Sequence, residues 1–131
     1  MSKEIVNYKR FFQMWQYTVG HSQLLLRSVK RDDFVTRVDV LFKNVSVIQL
    51  PTTFDALSIS ELSEGEEISH ILPDFRHEKG KKNFVVRGSQ SQVVGYVIAG
   101  ALAFHEDDLE YHDPSHFWST SGIGAGAPVN P

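Results

Sequence analysis

Between Phe11 and Leu50 the chain is crowded with aromatic and β-branched residues in alternating order, a pattern that suits extended backbone far better than helix. The spacing predicts two consecutive β-hairpins. In the first, Gly20 and His21 form a two-residue type II′ loop, with Val19 facing Ser22, Tyr17 facing Leu24 and Trp15 facing Leu26. Side chains alternate with period two, so Trp15, Tyr17, Leu24 and Leu26 are expected on one face. The second hairpin turns at Lys43 and Asn44 and pairs Phe42 with Val45, Val40 with Val47 and Val38 with Gln49. A single long strand from Arg37 to Leu50 is the competing reading. Either way Pro51 ends the segment, because proline has no N–H to give a ladder.

The same logic reads Leu57 to Leu62 and Asn83 to Arg87 as short strands, with a turn at Gly88 to Ser91. Gln92 to Phe104 reads as a buried strand bent or bulged at Gly95 or Gly100, although Val93, Val97, Ala101 and Phe104 also share a helical face. From Glu64 to Lys82 the chain is strongly polar. Ile68, Ile71, Leu72 and Phe75 have helical spacing there, and Pro73 restricts any helix to a short turn. The fold class expected is therefore mostly β: a single-domain antiparallel β-sandwich or partly closed barrel built from consecutive hairpins, with at most one short helix. Residues 1–118 make the domain, and the Gly- and Ala-rich residues 119–131 a flexible C-terminal tail.

A chain of 131 residues, 41% hydrophobic and 22% charged, is long enough to bury one core and too apolar for general disorder. The formal net charge of −3 runs against nucleic-acid binding, which needs a dense basic patch. No apolar run approaches the ~20 residues of a membrane helix, and no secretory leader opens the chain. Zero cysteines exclude disulfides and thiolate chemistry and fit a reducing, cytoplasmic setting. Asn44-Val45-Ser46 matches a glycosylation pattern, which is inert without a secretory route.

Catalytic and cofactor templates fail on spacing. Gly20-His21-Ser22-Gln23-Leu24 lacks the last glycine of a nucleophile elbow, and Gly80-Lys81 has neither the upstream glycine nor the following hydroxyl of a phosphate loop. Gly122, Gly124 and Gly126 neither follow a strand nor open a helix, so no cofactor is expected. The histidines and carboxylates concentrate between His105 and His116. His105, Asp107, His112 and His116 are the candidate ligands of a metal-dependent enzyme, but Pro114 breaks the helix that would align them.

Two non-catalytic readings remain. Trp15 and Tyr17 would line a small barrel that holds an apolar ligand. Alternatively the chain is a protein-interaction module, one that self-associates or neutralises a basic partner. Phe12, Phe117 and Trp118 would then supply its contact surface. The acidic stretches Glu64 to Glu67 and Glu106 to Glu110 would steer that partner. The interaction module is the preferred expectation, with a protein or a second copy of the chain as partner and with neither nucleic acid nor membrane.

Overall fold

The computed structural model describes residues 3–31, 33–62 and 79–119, apart from the side chains of Trp118 and Ser119. The polar excursion around Ile68 and the tail from residue 120 lie outside these residues. The described residues form eight strands and one short α-helix: β1 (Lys3–Tyr8), β2 (Phe12–Thr18), β3 (Gln23–Ser28), β4 (Arg37–Gln49), β5 (Thr53–Phe54), β6 (Leu57–Glu61), β7 (Lys82–Arg87), β8 (Val93–Asp107) and α1 (His116–Ser119). All strands join one antiparallel sheet in the order β1-β6-β7-β8-β4-β3-β2-β5.

That order forces curvature. Laid flat, β1 and β2 would sit six strand spacings apart, about 29 Å. The chain from Tyr8 to Phe12 spans at most about 14 Å. The sheet must therefore curl until its edges approach, and the rings of Tyr8 and Phe12 indeed meet at 5.9 Å between centroids. The link from β5 to β6 imposes the same closure. The result is a curled sheet, open at its seam, whose concave side holds the core of Val6, Phe12, Leu24, Leu26, Val40, Phe42, Leu57, Ile59, Phe84 and Val97.

Two expectations about this core are corrected. The segment from Arg37 to Gln49 is one long strand and not a hairpin. Asn44 does adopt a positive φ of 54°, but it uses it for a kink inside the strand. Val45 N–H there donates to the Ser22 carbonyl at 2.9 Å. β8 tolerates the kink because it places Gly100 against Asn44, where a Cβ would lie 3.0 Å from that of Asn44.

The second correction concerns Trp15. Near the loop the expected pairing of Tyr17 with Leu24 is present, although the loop is a 3-10 turn over Val19–His21 closed by Ser22 in the left-handed region. A bulge between Met14 and Gln16 then shifts the register, so that Met14 and not Trp15 faces Leu26. A one-residue shift sends a side chain to the opposite face. Trp15 consequently leaves the core and lies on the convex side.

Candidate functional site

The convex face of β3, β4 and β8 carries charges where the concave face carries aliphatics. Strand register aligns Arg27 with Asp39 and His105 in one row, and Arg37 with Asp107 in the next. Their chain neighbours Leu26, Val38 and Val40 point the other way, into the core. Alternation along three apolar strands thus gathers two guanidinium groups and two carboxylates on one patch.

These charges are buried, Arg37 and Asp39 at 0% exposure and Arg27 at 2%. Arg27 grips Asp39 side-on, with Nε to Oδ1 at 2.7 Å and Nη2 to Oδ2 at 3.0 Å. Arg37 grips Asp107 in the same way, at 3.1 and 3.0 Å. The remaining donors hold the chain that follows β8. Arg27 Nη1 donates to the carbonyls of Tyr111 (2.7 Å) and Asp113 (3.1 Å). Arg37 donates through Nη1 to Glu110 (3.0 Å) and Asp113 (2.7 Å), and through Nη2 to Pro114 (3.1 Å). On its other side, Arg27 lies 5.1 Å from the centre of the Trp15 ring, a cation–π contact made possible by the bulge in β2.

Desolvating four charges is costly, and it is tolerated because nearly every hydrogen-bonding site is filled. For Asp107, burial pushes the carboxyl up. The hydrogen bonds from Arg37 and the Leu109 N–H, with the charges of Arg37 and His105, outweigh that and hold it below the usual carboxylate range.

The segment held in this way is a tight turn. Glu110 N–H donates to Asp113 Oδ2 at 2.8 Å, and Asp113 N–H returns to the Glu110 carbonyl at 3.1 Å. Leu109 N–H donates to Asp107 Oδ1, which fixes the exit from β8. With the backbone carbonyls turned inward, the side chains face water: Leu109 is 39% exposed and Tyr111 59%. Asp108, Glu110 and His112 are exposed beside them, and Lys30 pairs with Glu110 at 2.9 Å.

A third arginine closes one end of the concave side. Arg10 donates to Ser28 Oγ (2.7 Å), Thr36 Oγ1 (3.1 Å) and the Thr36 carbonyl (2.6 Å), and its guanidinium lies 4.3 Å from the centre of the Phe34 ring. Thr36 in turn donates to Glu106 at 2.6 Å. Burial lowers the Arg10 pKa, and Glu106 and Tyr8 offset part of that. Burial and the Glu106 carboxylate push the Tyr8 hydroxyl up. Tyr8 also meets Phe104 edge-on across the opening, at 6.5 Å.

The expected site residues scatter. Phe12 is fully buried in the core, which removes it from any contact surface. Trp15 and Tyr17 do not line one cavity: Trp15 is on the convex face, and Tyr17, on the concave side, is 41% exposed near the hairpin tip. His105 and His116 do come together, as a stack with centroids 3.6 Å apart and planes 13° apart, and Phe117 meets both rings edge-on. Stacked imidazoles aim their in-plane lone pairs in parallel and cannot converge on one ion at ~2.0–2.1 Å. Asp107 is committed to Arg37, although it lies 3.9 Å from His105, and His112 is exposed beside Asp113. Among the described residues no three potential ligands form a metal cluster. Phe117 is half-buried, and the Trp118 side chain and Glu64 to Glu67 lie outside the described residues.

The residues that organise the site, Arg10, Arg27, Arg37 and Asp39, were not among those the sequence singled out. One signal was present: lone charges inside apolar strands, as in Leu24-Leu25-Leu26-Arg27 and Arg37-Val38-Asp39-Val40. Buried charges of that kind need partners, and the opposite signs on neighbouring strands supply them. Among the described residues no helix is long and apolar enough to cross a membrane. No protein-family model, no curated protein and no solved structure matches the chain.

Proposed function

We propose that the protein is a non-catalytic interaction module that presents the turn from Asp108 to Asp113 to a basic protein surface. One observation carries this reading. Five hydrogen bonds from two buried arginines hold the backbone from Glu110 to Pro114, while Leu109 and Tyr111 stand exposed among carboxylates. A turn ordered before contact loses little conformational entropy on binding. A tyrosine flanked by acidic side chains combines an aromatic anchor with electrostatic steering.

The buried ionic groups support the non-catalytic half of the proposal, since Asp39, Asp107, Arg27 and Arg37 are all engaged in holding structure. A cytoplasmic setting is part of the reading and is supported by the lack of cysteine. A second copy of the chain is one candidate surface, because Lys43, Lys79 and Lys82 are exposed on it.

The test is affinity capture from the native extract by the immobilised chain, alongside Tyr111→Ala/Asp108→Asn. The proposal expects basic proteins that are retained at low salt, eluted by high salt and lost with the variant. Sedimentation at low and high salt reads self-association in the same pair of proteins. If both proteins retain the same set, and neither self-associates, the turn is not the contact surface.

A further inference from the structure

We propose that residues 108–117 form a detachable strap, which lifts from the convex face as one unit while the eight-stranded sheet stays folded. The way the strap is attached points to this. β8 ends at Asp107, so the strap adds no strand to the sheet. Its backbone is held mainly by side-chain donors of Arg27 and Arg37, joined by the Lys30–Glu110 pair and the His105–His116 stack. Between Asp108 and Pro114 no apolar side chain is buried, and Ser115 is the first residue fully hidden from solvent.

Lifting is cheap for a further reason. Arg27, Asp39, Arg37 and Asp107 all sit on strands of the sheet, so both ion pairs survive when the strap leaves. Water then satisfies the freed carbonyls and guanidinium N–H groups and relieves the desolvation of four charges. Opening the β4–β8 ladder would instead expose Val40, Phe42 and Val97. Structures open first where few apolar contacts are lost.

Motion as a unit follows from two features. The strap carries its own turn, closed by the reciprocal bonds between Glu110 and Asp113. The Asp113 carbonyl accepts from both arginines, so neither can be released alone without disturbing the other.

The experiment follows exchange of the Nη1 protons of Arg27 and Arg37 by NMR in the full chain. The guanidinium protons of Arg10, which donate to Ser28, Val29 and Thr36 and not to the strap, serve as control. After correction for intrinsic rates, the Nη1 protons should exchange at least about a hundred-fold faster than the slowest β4 and β8 amides. They should share one opening constant, insensitive to low urea. Asp113→Ala keeps the backbone carbonyl that both arginines share and removes the Oδ2 acceptor of the Glu110 N–H, so by loosening the turn it should speed both by the same factor and leave Arg10 and the sheet amides unchanged. Exchange in step with the sheet amides, with the same urea dependence, would overturn the strap. So would separate responses of Arg27 and Arg37 to Asp113→Ala. No partner enters the measurement, so strap opening and partner binding succeed or fail separately.

Discussion

Arg27 and Arg37, on neighbouring strands, both donate to the carbonyl of Asp113, at 3.1 and 2.7 Å. A single backbone oxygen thereby bridges two ion pairs that also approach each other within the sheet, Arg37 Nη2 lying 3.9 Å from Asp39 Oδ2. Each arginine faces its own aspartate in the sheet and turns its outer edge to the chain beyond β8. Charge burial in this protein has a structural purpose: it provides donors strong enough to hold a segment that buries little apolar surface of its own.

Removing one partner of such a pair should cost far more than removing both. Arg37→Met leaves the half-buried Asp107 without its counter-charge and strips the carbonyls of Glu110, Asp113 and Pro114. A loss of about 3–5 kcal/mol is expected. Arg37→Met/Asp107→Leu removes the orphaned carboxylate and should lose less. Urea denaturation of both variants checks this, and a double variant weaker than the single would contradict it.

The acid limb of stability should depend on Asp107. Its carboxyl is held below the usual range in the folded state, so the folded protein releases that proton more readily than the unfolded chain does. The contribution is complete above the unfolded pKa of about 4, and is lost as pH falls through the lower folded value. Asp107→Asn should be less stable at neutral pH and should show a shallower decline below about pH 4. Urea midpoints measured across that range decide the matter.

Tyr8 predicts the opposite limb. Its hydroxyl is raised by burial and by Glu106, so the folded state keeps a proton that the unfolded chain gives up. Stability should fall as pH rises above about 10. Tyr8→Phe has no proton to lose and should flatten that fall, provided the edge contact with Phe104 is kept. An alkaline limb unchanged in Tyr8→Phe would assign the loss to other groups.

Much of the fold could be read from residues, and the failures share a cause. Val38, Val40 and Phe42 alternate so regularly that their strand was recognisable, and Gly100 could be picked out as a special position in β8. The face of Trp15 is not legible from alternation, because a bulge inserts one residue into the ladder without altering the local pattern that precedes it. Asn44 carries the same signal for a loop as for a strand kink, because both use a positive φ. The site was harder still. Arg37 meets Asp107 across two strands whose neighbourhood depends on a sheet order that periodicity does not encode. The partners of buried charges are set by topology, and only their need for partners is visible locally.

Two aromatic truncations should separate core from surface. Phe12→Ala opens a hole among Val6, Leu26 and Phe54 and should cost about 3–5 kcal/mol. Tyr111→Ala, at an exposed position, should change stability by no more than about 0.5 kcal/mol while abolishing capture of basic partners. A thermal melt paired with the capture assay gives both readouts. Partner loss by a fully folded Phe12→Ala would show that the core position had been misjudged.

Gly95 offers the sharpest test of the β4–β8 register. A Cβ at this position would collide with the backbone carbonyl of Gln49 and press on the Leu50 side chain, so even alanine forces the two strands apart. Overpacking of this kind costs typically about 1–3 kcal/mol, and more where backbone must move. At Gly88 the nearest atom to an added Cβ is a Val94 methyl at 3.4 Å, an ordinary contact, and its φ of −101° suits any residue. Gly88→Ala should therefore leave the urea midpoint nearly unchanged, while Gly95→Ala lowers it markedly and weakens amide protection in the ladder around Gln49 and Tyr96. Equal tolerance of the two substitutions would mean that β4 and β8 do not pair in this register.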